Sequence, residues 1–153
     1  VLRVQEESVG EDTILQLQAA FLTKDCKALQ VALGNYLLKT SSFYDGLNEN
    51  YYHGLLLGLM AVLIKSHKPL SNRESGYGRY DIELVPKNSS TPGIIIELKA
   101  AKSAQENLQV LAEDALEQIE QKRYDTALLA EGVIDIYKYG IAFYKKNVEI
   151  VVK

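Results

Sequence analysis

Gly76-Tyr77-Gly78-Arg79-Tyr80-Asp81-Ile82-Glu83-Leu84-Val85 leads, through the polar stretch Pro86 to Gly93, into Ile94-Ile95-Ile96-Glu97-Leu98-Lys99-Ala100. Both arms are short, rich in β-branched and aliphatic residues, and bounded by turn formers, so they are expected to be neighbouring strands of one hairpin. Side chains alternate along a strand, which sends Glu97 and Lys99 to one face and Ile96 and Leu98 to the other. If the second strand is central, an ion on it is costly unless it is paired or holds a metal. A carboxylate and an ammonium two residues apart, with Asp81 on the adjacent strand, make a compact site for a hard divalent cation and a phosphate. Glu83 shares the face of Asp81 by parity and is its rival for that role. Gly76 and Gly78 suggest a bulge that aims Asp81.

The pattern of an acid, any residue and a lysine occurs three times, at Asp25-Cys26-Lys27, Glu97-Leu98-Lys99 and Glu120-Gln121-Lys122. The first and third fall in helical patterns, where residues two apart do not share a face. Only Glu97-Leu98-Lys99 has strand context and an upstream aspartate. Asp81 with Glu97-Leu98-Lys99 resembles the Asp and Glu-x-Lys core of the PD-(D/E)XK nuclease superfamily. The words Glu74-Ser75-Gly76-Tyr77-Gly78-Arg79-Tyr80-Asp81, with the later Gln118-Ile119 and Tyr124, resemble a bacterial subgroup often found behind an AAA-type ATPase-like domain. The likeness runs from about Leu47 to the C-terminus. The proline of the superfamily's name is absent, and Tyr80 stands in its place.

At 153 residues the chain suits one domain with a real core. It begins at Val1 and is expected to be a piece of a longer protein. The single cysteine, Cys26, excludes an intrachain disulfide and suits a reducing cytoplasm. It is read as a small buried hydrophobe rather than a nucleophile. Without a cysteine or histidine cluster a zinc site is not expected. The longest apolar run, Leu55 to Ile64, is too short to span a bilayer. A net charge of −3 argues against coating nucleic acid by bulk attraction. Local basic surface remains in Lys65, Lys68, Arg73 and Arg79, and in Lys138, Lys145, Lys146 and Lys153.

Two helical patterns fill the N-terminal part, from Glu11 to about Thr23 and from Cys26 to Leu38. A third helix is expected over 47–67. There Glu49 and His53 are four apart and share a face. Pro69 to Ser75 reads as a short edge strand. Ser103-Ala104-Gln105-Glu106 has the form of a capping box opening a helix to about Arg123. Tyr124 to Gly132 reads as a short connector or a helical turn, with closing strands at Val133 to Tyr137, Gly140 to Tyr144 and Val148 to Val152 around a Lys146-Asn147 turn.

The resemblance implies an α/β (α+β) fold: a restriction-endonuclease-like core with a mixed central β-sheet flanked by helices. Residues 43–153 would form it, with 1–42 as an N-terminal helical extension or linker. It implies a nuclease that uses Mg²⁺, or Mn²⁺, to hydrolyse phosphodiester bonds of nucleic acid, DNA in the first instance. Asp81 and Glu97 would hold the metal with the Leu98 carbonyl, and Lys99 would position or deprotonate the attacking water. In the superfamily a helix before the first catalytic strand often supplies a further acid, which Glu49 resembles. A first-turn acid capped by Asn48 is also what the helix dipole alone would favour. Related nucleases use a helical glutamine to orient the lysine or touch the phosphate, and Gln118 matches it, whereas the spacing to Tyr124 does not match that residue's tyrosine partner. Arg79, Arg73 and His53 are candidates for phosphate contact. Arg79 could equally pair with Glu74, and His53 could be a hydrogen-bonded core imidazole. The implied setting is cytoplasmic, without membrane, with an ATPase-like domain in the same chain and room for a homo-oligomer. The rival functions are a catalytically inactive recognition or assembly module on this fold, and a nuclease toxin or effector domain.

Overall fold

A computed structural model describes residues 14–40, 48–60, 66–73, 80–122 and 125–153. Three helices come first: α1 over 14–23, α2 over Cys26–Thr40 and α3 over Glu49–Met60. Strands β1 (His67–Arg73), β2 (Tyr80–Pro86) and β3 (Gly93–Ala100) follow. Helices α4 (Leu108–Lys122) and α5 (Thr126–Ala130) lead to β4 (Ile136–Tyr144) and β5 (Asn147–Val152). The strands form one five-stranded sheet in the order β1-β2-β3-β4-β5. Neighbours are antiparallel except β3 and β4, which run parallel. A parallel pair needs a crossover, and α4 with α5 provides it. This is the α/β, mixed-sheet architecture expected of a restriction-endonuclease-like core.

The expected hairpin is β2 and β3, and β3 is the middle strand. Ile94 to Leu98 are all buried, because both faces of β3 are covered. Ile94, Ile96 and Leu98 join Ile82, Leu84, Tyr139, Ile141 and Phe143 in a core closed by Leu17, Phe21, Leu29, Leu33, Leu37, Tyr52 and Leu56 from α1, α2 and α3. Tyr52 stacks on Phe143 at 4.4 Å and donates its hydroxyl to the Lys145 carbonyl at 2.7 Å. Burial, with Tyr51 adding to it, pushes that phenol up to about 12. Tyr139 meets Phe21 edge to face at 5.2 Å and donates to the Phe21 carbonyl at 2.6 Å. Each buried polar tip thus has a partner, so the aromatic bodies fill the core without an orphaned donor. The opposite face carries a smaller cluster, Ile95, Ile119, Leu128 and Val133. Cys26 is half-buried, and burial followed by the neighbouring Asp25 pushes its thiol up.

Four boundaries differ from expectation. The third helix was expected to reach residue 67, but Ser66 forms a turn and His67 already pairs with Pro86. The His67 ring is fully buried between the Ser66 hydroxyl at 2.8 Å and the Pro92 carbonyl at 2.7 Å, contacts a continued helix could not make. The capping-box segment is not the helix start. Glu106 turns back onto the amides of Lys102 and Ser103, and Asn107 caps α4 through the Val110 amide at 3.2 Å. The break expected between Tyr137 and Gly140 is absent, and β4 runs straight through both. The last turn is centred on Lys145 and Lys146, with Lys145 at φ 52°. The connector after Tyr124 contains the short helix α5, closed by Gly132 at φ 85°.

Candidate active site

Parity divides β3. Ile96 and Leu98 enter the three-helix core, while Ile95 packs on the α4 side with Ile119. Glu97 and Lys99 share the parity of Ile95 and so lie under α4. Glu97 is 0% exposed. A carboxylate in that position faces an energetic cost on the order of several kcal/mol unless its oxygens are satisfied.

One oxygen is satisfied by α4. The orientation of the Gln118 amide that suits its neighbours has Nε2 donating to Glu97 Oε1 at 3.0 Å and Oε1 accepting from Lys99 Nζ at 2.9 Å. The amide is a bridge with its donor end on the acid and its acceptor end on the base. Gln118 sits one residue before Ile119, whose side chain is buried against Ile95, so helical rotation carries it over the next pair of strand residues. The other oxygen, Glu97 Oε2, is buried and has no hydrogen-bond partner among the described residues. Buried acceptors are rarely left so, and an orphan on a central strand calls for an explanation.

Position 81 lies directly across from Glu97 in the β2–β3 register, and direct partners in an antiparallel pair share a face. The side chain of Asp81 is outside the described residues. Glu83, the rival acid, is opposite Ile95, one step deeper under α4, and is 7% exposed. The register places position 81, not 83, beside Glu97.

The end of β3 supplies further oxygens. Among the described residues the β2–β3 pairing runs to Asp81 and Glu97, whereas β3 continues alongside β4 to Ala100. The Ala101 amide donates to Phe143 of β4 at 2.7 Å. The Ala100 amide therefore faces the β2 side, where Glu49 Oε1 accepts from it over a long 3.4 Å. Backbone groups of residues two apart point the same way along a strand, so the Leu98 carbonyl opens onto that edge as well. Asn48 caps α3 through the Tyr51 amide at 3.2 Å, leaving Glu49 in the first turn. His53 is half-buried one turn further along.

The structure thus brings Glu97, Lys99 and Gln118 into contact and sets Glu49 and the Leu98 carbonyl at the same end of β3. Arg79, Glu74, Lys65, Gly76, Gly78 and Tyr124 lie outside the described residues, as does the side chain of Arg73. Two basic residues read as open surface are otherwise engaged. Lys138 pairs with Asp125 at 3.1 Å and Glu120 at 3.2 Å, and Lys153 pairs with Glu120 at 3.4 Å. Burial alone would lower the Lys138 ammonium, but the two carboxylates outweigh it and raise it.

Among the described residues no three His, Cys, Asp or Glu side chains gather to hold a metal ion. The donors at the end of β3 are all oxygens, which is the chemistry of Mg²⁺ and Mn²⁺. Mg²⁺ keeps several waters and needs only one or two carboxylates, so Glu97 with an acid at position 81 is a sufficient anchor. The residues fit such an ion.

Residues 47–153 match the sequence model of the PD-(D/E)XK nuclease superfamily, and the chain belongs to that superfamily. Its members are generally nucleases, phosphodiesterases that typically use divalent metals, and membership implies a nucleic-acid substrate. A comparison with curated proteins finds no match. Among the described residues no helix is long and apolar enough to cross a membrane.

Proposed function

We propose that the chain is a Mg²⁺- or Mn²⁺-dependent nuclease that hydrolyses phosphodiester bonds of DNA. Asp81 and Glu97 hold the ion, with the Leu98 carbonyl and Glu49 completing the set. The observation that carries this reading is the buried Glu97 Oε2, without a hydrogen-bond partner among the described residues, beside a Gln118 bridge that ends on Lys99. A bound divalent ion supplies charge neutralisation at the phosphoryl group and lowers the pKa of a water. Lys99 has three donors and, among the described residues, spends one on Gln118, which leaves its ammonium able to position or deprotonate the attacking water and to stabilise the developing charge. Gln118 fixes the ammonium relative to the carboxylate, which keeps nucleophile and charge stabiliser in one geometry. Arg79, Arg73 and His53 contact the phosphate backbone.

The setting proposed with it is the cytoplasm of a bacterium. There residues 43–153 act as the nuclease unit behind an ATPase-like domain, with residues 1–42 as the helical extension and with self-association open to the pair. The support is the likeness of Glu74 to Asp81, with Gln118, to that subgroup.

The test is cleavage of a panel of DNA and RNA substrates with Mg²⁺, Mn²⁺ and EDTA, using the natural chain, Asp81→Ala and Lys99→Ala. Metal-dependent cutting that disappears in both folded variants supports the proposal, and unchanged cutting removes it. Nucleic-acid binding with no divalent-ion binding in calorimetry would make the domain a recognition or assembly module instead. Toxicity on expression, relieved by Glu97→Ala, would make it a toxin or effector domain.

A further inference from the structure

The register that sets position 81 on one side of Glu97 sets Gly140 on the other, in β4. Gly140 lies on the face that α4 covers. A Cβ built there would collide with the Ala112 carbonyl oxygen and stand 2.8 Å from the Leu116 amide nitrogen. These are backbone atoms of α4, which cannot rotate out of the way as a side chain can. The helix therefore rests its own backbone on the strand, and only glycine permits it. The buried face of α4 is correspondingly thin, with Ala112 and Ala115 at 0% exposed. Gln118 is six residues beyond Ala112 and two beyond Leu116, on the stretch of helix whose height this contact fixes.

We propose that Gly140 is a positioning residue for the site: its missing side chain sets the height of α4 above β3 at which one Gln118 amide spans Glu97 and Lys99. The assignment rests on the proposed nuclease reading for its effect on cleavage, but its geometry holds without it. Both bridge bonds are near 3 Å, and a glutamine side chain has little reach to spare between two fixed strand residues. Lifting the helix by the space of one methyl group stretches both bonds at once. Gly93, on the same face of the sheet, serves as a contrast. A Cβ there would meet the Leu128 and Val133 side chains at 3.1 and 3.3 Å, far from the bridge and against groups able to yield.

The experiment compares Gly140→Ala with Gly93→Ala in the metal-free chain, reading the Gln118 side-chain amide by NMR. It then measures cleavage in the presence and absence of Gln118→Ala. In Gly140→Ala the Gln118 amide loses its hydrogen-bonded shift and exchanges faster, while Gly93→Ala leaves it in place. Cleavage by Gly140→Ala falls by about 10²-fold in kcat with KM little changed, the scale of an ångström-size misplacement. In the Gln118→Ala background the same substitution costs less than about threefold, because two changes acting through one contact do not add. A merely structural role would give equal losses in both backgrounds. If Gly140→Ala does not fold, Ala115→Val raises the same helix from its own buried face and is read in the same way. A folded variant that keeps the Gln118 signature overturns the assignment. A natural chain that cuts nothing overturns the nuclease reading, while the amide signal still judges the role of Gly140.

Discussion

The two faces of β3 are covered equally well and built on opposite principles. Toward α1, α2 and α3 the strand offers Ile94, Ile96 and Leu98 to a continuous apolar core. Toward α4 it offers Ile95 and then Glu97 and Lys99, met by a glutamine amide and helix backbone. One face gains free energy by excluding water from hydrocarbon. The other buries a carboxylate with one oxygen unpartnered among the described residues and gains less from burial. Sites that must hold charge in a preorganised frame draw on stability elsewhere in the fold, and here the source lies one residue away on the same strand.

Substitutions on the two faces should therefore move stability and activity in opposite directions. The largest effect expected is for Glu97→Met, which keeps volume and removes the charge. Cleavage is lost, while unfolding free energy in urea titrations is at least maintained, because a buried carboxylate with an unsatisfied oxygen gives way to a packed apolar group and this offsets the acceptor that the Gln118 amide loses. A destabilised Glu97→Met would break the comparison. On the core face Ile96→Ala should lower unfolding free energy by about 2–5 kcal/mol while the kcat of the folded fraction stays near that of the parent. Gln118→Ala should reduce kcat or the apparent metal affinity by about 10- to 100-fold, the usual range for a residue that orients a ligand. Its melting temperature should fall as well, because the buried Glu97 carboxylate loses the donor on Oε1.

The smallest effect lies at the far end of the α4 face. The Lys138 hydrogen bond holds the Glu120 carboxyl below its ordinary value. The folded chain therefore binds that proton less readily than the unfolded one. The pair's contribution is present at neutral pH and is lost as pH falls through the carboxylate range toward the lowered folded value. Glu120 is 37% exposed, so screening keeps the contribution below about 1 kcal/mol. Lys138→Met should flatten the acid flank of a stability profile slightly and leave cleavage intact.

The hairpin and its parity were legible because β-branched runs, turn formers and period-two alternation are local signals. The register was not legible: parity left Asp81 and Glu83 as rivals, and only the strand pairing sets position 81 opposite Glu97. Helix α4 was legible as an element but not in its start. Ser103 to Glu106 carries the residues of a capping box, and half of that box does form, yet Asn107 one turn later caps the helix. From the sequence only the first of these was singled out, and the structure uses it for the turn that precedes the Asn107 cap. Gly140 was misread for a related reason. A glycine in a β-branched run looks like a strand boundary, and nothing nearby in sequence announces that a helix backbone will rest on it.

The seam between β3 and β4 has a consequence for when the site comes into being. Glu97 and Gly140 become neighbours only after the chain has travelled through α4 and α5, the longest excursion between adjacent strands of this sheet. Until that loop closes, the carboxylate is hydrated like any surface acid and the Gln118 bridge has no second abutment. Desolvation of the charge and completion of the sheet are then a single event, which distant pairing makes a late one. A half-assembled chain can carry every residue of the site and still hold no site at all.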